Sequence, residues 1–124
     1  MGLNKFFFDS YAVIEILKGN PNYAKYVQEE VILTQFNLVE IYFSALTDLS
    51  ETGADEIFKK YRDNIVDIDD DSLKEATRFR RKVYKEKKIS YTDAIGYIYA
   101  KRNGLIFLTG DKEFKDLDNV EFVR

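Results

Sequence analysis

Two short apolar runs lie near the ends of the sequence, and each leads to an aspartate. Residues 3–8 finish in three phenylalanines and stop at Asp9, and LIFLT at 105–109 is followed by Gly110 and Asp111. Apolar stretches this short, bounded by polar residues, predict buried strands. Between them the sequence alternates. SYAVIEILKG places Ala12, Val13, Ile16 and Leu17 on one helical face and stops at Gly19. Asn20-Pro21 opens a second short helix, with proline at its first position. VILT at 31–34 and IVDI at 65–68 are β-branched and predict strands. Helices are expected over about 35–49, 53–62 and 91–102. A charged helix is expected from Asp70, with Leu73, Ala76, Phe79 and Val83 inward, and VEFV at 120–123 is expected as the last strand. Strands separated by helices imply βαβ units and a mostly parallel sheet with right-handed crossovers. In such sheets ligands sit beyond the carboxyl ends of the strands, where Asp9 and Asp111 fall.

The 124 residues suit one domain, 1–124, and no linker or repeat divides them. No apolar run approaches the ~20 residues that cross a bilayer. The N-terminal stretch lacks a signal-peptide pattern, so the expected location is cytoplasmic, with no membrane partner. Histidine and cysteine are both absent. That excludes Ser-His-Asp and Cys-His catalysis and zinc held by imidazole or thiolate. Hydrolytic chemistry would have to come from carboxylates, lysine, hydroxyls or a metal held through oxygen, which favours magnesium or manganese.

Four acids stand out, each with an ordinary structural role to weigh. Asp9 can cap the helix it precedes. Asp93 closes an S-x-x-D capping box with Ser90. Asp111 can close a turn after its strand. Glu40 is harder to place in an ordinary role. It is the only charged residue between Thr34 and Asp48, and its i±3 and i±4 neighbours are Phe36, Asn37, Phe43 and Ser44. No lysine or arginine can pair with it locally, and a carboxylate beside apolar surface is costly unless paired, hydrated or metal-bound. A distant ion pair is its ordinary alternative. Gathered in one cleft, the four would raise one another's pKa, and a divalent cation would hold them ionised. Such a site can activate water against a phosphodiester. Ser10 and Thr109, beside Asp9 and Asp111, can orient carboxylates or bind phosphate, or simply serve helix start and turn. Asn37, one turn before Glu40, can support it. Gly96 permits the close approach of a helix or of a substrate. The acids 69–71 most simply charge a helix N-terminus.

Three stretches carry a family resemblance: FFFDSYAVIEIL, FNLVEIYF, and SYTDAIGYIYAKRNGLIFLTGDKEFKDLDNVEFV. Across almost its whole length the chain resembles a PIN domain, and within that family the VapC-type toxins. The resemblance implies a three-layer α/β/α sandwich around a parallel sheet. It implies an endoribonuclease that uses Mg²⁺ or Mn²⁺ held by Asp9, Glu40, Asp93 and Asp111, with Thr109 as the hydroxyl before the last acid. RNA as substrate, a homodimer, and a small antitoxin protein whose C-terminal segment covers the acidic groove also come from the resemblance alone. Asp116 and Asp118 lie close enough in sequence to assist or replace Asp111.

Other classes fit less well. A haloacid-dehalogenase-like phosphatase needs a second aspartate two residues after the first, where Tyr11 stands, and a phosphoaspartate receiver needs paired acids at the end of its first strand. A catalytically silent module using the acids to bind a basic peptide is the remaining alternative. The net charge of −3 argues against strong nonspecific nucleic-acid binding, yet RFRRKVYKEKK at 78–88 holds seven basic residues and one acid. Such a run is either a solvated helix face or a surface for phosphates or a second copy.

Overall fold

A computed structural model describes residues 5–124. Strands β1 (Phe6–Phe8), β2 (Ile106–Thr109) and β3 (Val120–Phe122) form a parallel sheet in that order, with Phe7 opposite Phe107 and Phe107 opposite Val120. The helices are α1 (Ser10–Leu17), α2 (Gln35–Asp48), α3 (Glu51–Tyr61), α4 (Asp70–Val83) and α5 (Tyr91–Arg102). Short 3₁₀ turns at Pro21–Tyr26, Arg62–Asn64 and Lys112–Phe114 connect them. Residues 3 and 4 of the expected first strand lie outside the described residues.

The triple phenylalanine is explained by a sheet covered on both sides. Side chains alternate along a strand, so Phe6 and Phe8 face one way and Phe7 the other. Phe6 and Phe8 join Val13, Leu38, Ile41 and Leu108 in one core layer. Phe7 joins Phe107, Ala94, Tyr97 and Phe114 in the other. Residues from α1 and α2 belong to the first layer and residues from α4 and α5 to the second, which makes the α/β/α sandwich expected from the sequence. Gly96 belongs to helix–sheet packing: a Cβ there would come within 2.6 Å of the Phe7 ring and 3.2 Å of Phe107.

Two expected strands do not form as such. The stretches 31–34 and 65–68 meet only in a single parallel bridge, Leu33 to Ile65. Phe8 N–H donates to the Ile32 carbonyl at 2.9 Å, which ties the first stretch to the free edge of β1. Helix starts cut both ladders short. Thr34 is already the N-cap of α2, and its N–H donates to Asn37 Oδ1 at 3.0 Å rather than to a neighbouring strand. Asp69 is the N-cap residue of α4. The helix expected at 53–62 begins earlier, at Glu51, because the Ser50 hydroxyl accepts the Gly53 N–H. On α4, Ala76 is buried, and Phe79 and Val83 pack on the core as expected, while Leu73 is half-buried outside both layers. On α1, Ala12 and Val13 are buried but Leu17 lies at the surface.

Candidate active site

Asp9 stands at the carboxyl end of β1 and is 2% exposed. Its extended backbone suits an N-cap, but Oδ1 accepts only the adjacent Ser10 N–H, at 2.8 Å, rather than the N2 or N3 donor of an ordinary cap. Oδ2 accepts the Thr109 hydroxyl at 2.6 Å. The same Thr109 oxygen accepts the Asp111 N–H at 3.0 Å, so one buried hydroxyl couples the end of β1 to the loop after β2. Gly110 is required between them, since a Cβ there would lie 2.2 Å from the Tyr11 ring and 2.3 Å from the Val123 carbonyl.

Glu40 reaches the same region from α2. Its Oε1 accepts the Ser10 hydroxyl at 2.6 Å. Ser10 in turn accepts from Asn37 Nδ2 at 2.9 Å, and Asn37 Oδ1 accepts both the Thr34 hydroxyl and the Thr34 N–H. Asn37 therefore supports Glu40 through Ser10 rather than directly, and Ser10 orients Glu40 rather than Asp9. Thr34 was not among the expected site residues, though T-x-x-N before an apolar helix is a legible capping signal. Glu40 itself has less apolar surface buried around it than expected. Its neighbours Phe36 and Phe43 are 40% and 73% exposed, because the buried face of α2 is Leu38, Ile41 and Ala45. Glu40 is half-buried and is not sunk in an apolar core.

Asp93 enters from the first turn of α5, where it accepts the Ser90 N–H at 3.3 Å while its own N–H donates to the Ser90 hydroxyl at 3.1 Å. Asp111 accepts the Glu113 N–H at 3.0 Å and caps the turn Lys112–Phe114. All four acids thus keep the local roles their sequence contexts suggest or a hydrogen bond that replaces them. They also act on one another. Burial raises the Asp9 carboxyl well above its ordinary value, and Asp93 and Glu40 add to the rise against the bonds from Thr109 and Ser10. Burial, then Asp111 and Glu40, push Asp93 up to about 6 against its bonds from Ser90. Glu40 therefore lies within electrostatic reach of Asp9 and Asp93, and Asp111 within reach of Asp93.

Among the described residues none of the four joins an ion pair, so Glu40 has no lysine or arginine partner there. Arg124 lies beside Tyr11 in electrostatic range of Asp111. Asp118 does not join the cluster: it pairs with Lys101 at 3.3 Å and accepts the Tyr97 hydroxyl at 2.6 Å. Asp116 is exposed. Asp70 and Asp71 lie in the first turn of α4, where they charge its N-terminus, and Asp69 lies 3.9 Å from Arg102. Among the described residues, no three carboxylates are already arranged around a metal position. The donor set nonetheless fits a hard divalent cation, being oxygen-only, mutually repelling and uncompensated.

A parallel sheet with carboxylates beyond the ends of β1 and β2 defines an α/β protein with a cluster of acids at that edge. The chain belongs to the PIN domain family, whose model matches residues 6–120. A search of curated proteins finds no match. In fold the chain is similar to a toxin–antitoxin complex from Klebsiella pneumoniae, at 18% identity and TM-score 0.73, over 94% of this chain and 96% of that one. It is also similar to DNA-bound VapBC from Salmonella typhimurium, at 14% identity and TM-score 0.73, over 97% of each chain. FitAcB from Neisseria gonorrhoeae gives 17% identity and TM-score 0.70, over 94% and 96%. Among the described residues no helix is long and apolar enough to cross a membrane.

Proposed function

We propose that the chain is a Mg²⁺- or Mn²⁺-dependent endoribonuclease, the toxin of a toxin–antitoxin pair, acting in the cytoplasm as a homodimer of one-domain chains. One observation carries the proposal: Glu40 and Asp111 crowd Asp9 and Asp93, whose carboxyls are raised by burial and by this like charge, and none of the four joins an ion pair among the described residues. When bound, a divalent ion supplies charge neutralisation, a more acidic water and stabilisation of charge developing at phosphorus. The four acids would hold it. Thr109 fixes Asp9 relative to Asp111 by donating to one and accepting from the other. The series Thr34, Asn37, Ser10 fixes Glu40 in the same way.

A small antitoxin fits the surface beside the cleft. Phe36, Val39, Phe43 and Leu46 follow helical spacing along the outer side of α2 and are all exposed, next to Glu40. The solved complexes similar in fold hold toxin with antitoxin, which supports the same arrangement here.

The test is cleavage of RNA with Mn²⁺ or Mg²⁺ by the purified chain and by Asp9→Asn. The variant is expected to lose more than about 100-fold, beyond the loss seen when a group that merely orients a ligand is removed. A wild-type chain that cuts no RNA with either metal, and does not arrest growth when expressed, ends the proposal. A second reading uses the same four acids, none of them ion-paired among the described residues. In it the acids bind a basic partner peptide without catalysis. Peptide binding with no measurable metal affinity would select it.

A further inference from the structure

The basic run 78–88 has no role in metal-dependent hydrolysis itself, and the structure ties it to the acidic cleft at two points. Lys87 Nζ donates to the Glu113 carbonyl at 3.1 Å, and Lys88 N–H donates to Glu113 Oε1 at 2.8 Å. Glu113 N–H is the donor to Asp111. Two residues further on, Ser90 opens the capping box that holds Asp93. The turn after α4 is thus fastened beside both Asp111 and Asp93.

Helix-dipole compensation accounts for Arg80, Arg81 and Lys82 in the last turn of α4, but not for the lysines beyond the helix end. No basic residue of the run joins an ion pair among the described residues. Arg80 is pinned: Nε donates to the Ile89 carbonyl at 2.8 Å, and the guanidinium lies 4.1 Å over the ring of Tyr91. Tyr91 is nevertheless 58% exposed at the start of α5, with only one ring face covered by Arg80. Tyr84, one helical turn beyond Arg80, is 54% exposed. Arg81, Lys85 and Lys88 are exposed alongside. An exposed aromatic ring stacked on a guanidinium, next to a segment carrying exposed cations that join no ion pair among the described residues, matches single-stranded nucleic acid, whose bases stack and whose phosphates need positive charge.

We propose that the end of α4 and the start of α5 form a landing surface for single-stranded RNA entering the cleft. One base stacks on Tyr91 over Arg80, and the flanking phosphates contact Arg81, Lys85 and Lys88. The inference rests on the acidic site acting on RNA and names the path by which the strand reaches it. Tyr91 is here a positioning residue.

The test separates binding from cutting. A labelled single-stranded RNA is titrated with the chain in EDTA, where no hydrolysis occurs, beside a duplex and an abasic strand. Tyr91→Ala is expected to weaken single-strand binding about five- to hundredfold, with Tyr91→Phe close to wild type and the abasic strand bound as weakly as by Tyr91→Ala. Arg81→Gln and Lys85→Gln should each reduce the slope of log affinity against log salt by about 0.7. In cleavage assays Tyr91→Ala should raise KM and leave kcat unchanged. RNA bound through Tyr91 but never cut upholds the surface and removes only the hydrolytic reading. Unchanged binding in Tyr91→Ala overturns the surface. So does a series of variants that split a dimer while leaving RNA affinity intact, which would assign this face to contact between copies.

Discussion

Helices α2 and α5 begin with the same device and use it differently. Each opens with a hydroxyl N-cap, Thr34 or Ser90, which accepts from the backbone N–H three residues on, while the side chain at that position reaches back. In α2 that side chain is the neutral Asn37. Its Oδ1 takes two bonds from Thr34 and its Nδ2 donates to Ser10, so both ends are engaged. In α5 it is Asp93, which accepts one long bond from Ser90, lies among three other carboxylates, and has its pKa pushed up to about 6. One box supports a neighbour. The other places a reactive group and bears the cost of burying it. Identical local chemistry therefore does not distinguish a supporting residue from a candidate ligand; the tertiary surroundings do.

The sharpest way to break this comparison is Asp93→Asn, which makes the α5 box resemble the α2 box. Capping survives, because asparagine serves Thr34 in the same position. Ribonuclease activity should fall by more than about 100-fold while the unfolding midpoint stays level or rises, since a carboxylate is removed from a repelling group. Loss of activity together with loss of fold would mean that Asp93 is only a cap.

The reverse change, Asn37→Asp, should cost about 1–3 kcal/mol in urea unfolding at pH 7. It removes the donor to Ser10 and sets a fifth acid beside Glu40. Lowering the pH should recover part of that loss.

The smallest effects concern pH. In Asp93 the folded carboxyl titrates near 6 against an ordinary value of 3.8. Between those values the folded chain binds more protons than the unfolded chain, so metal-free stability falls as pH rises from about 4 to about 6. Asp9, also raised, adds a fall of the same sign. Urea titrations in EDTA should show this slope, flatter in Asp93→Asn, and replacing EDTA with Mn²⁺ should reduce it. Ser90→Ala should cost about 1 kcal/mol. It should also move the acidic limb of the activity profile to higher pH, because the Ser90 bonds hold the Asp93 pKa down.

The starts of α2 and α5 were readable because capping is local, whereas α3 begins at Glu51, two residues before its expected start. The first and last strands were readable from short apolar runs. The strands expected at 31–34 and 65–68 were not, because a β-ladder needs a partner over several residues and both stretches end in helix caps. Glu40 was singled out by a premise the structure corrects, since its aromatic neighbours face outward. Thr34 was passed over because its link to the cleft runs through Ser10, 24 residues away in sequence.

By itself, the order of residues determined the ends of the first and last strands and several helix caps, the absence of histidine and cysteine chemistry, and the identity of four candidate acids. Those properties depend on neighbours within a few positions. Only the folded arrangement decided that Thr109 binds Asp9 across 100 positions, that Asp118 turns away to Lys101, and that Tyr91 lies on Arg80 beside the cleft. Each is a contact between distant segments, set by how the two core layers pack on the sheet, and no local pattern encodes it.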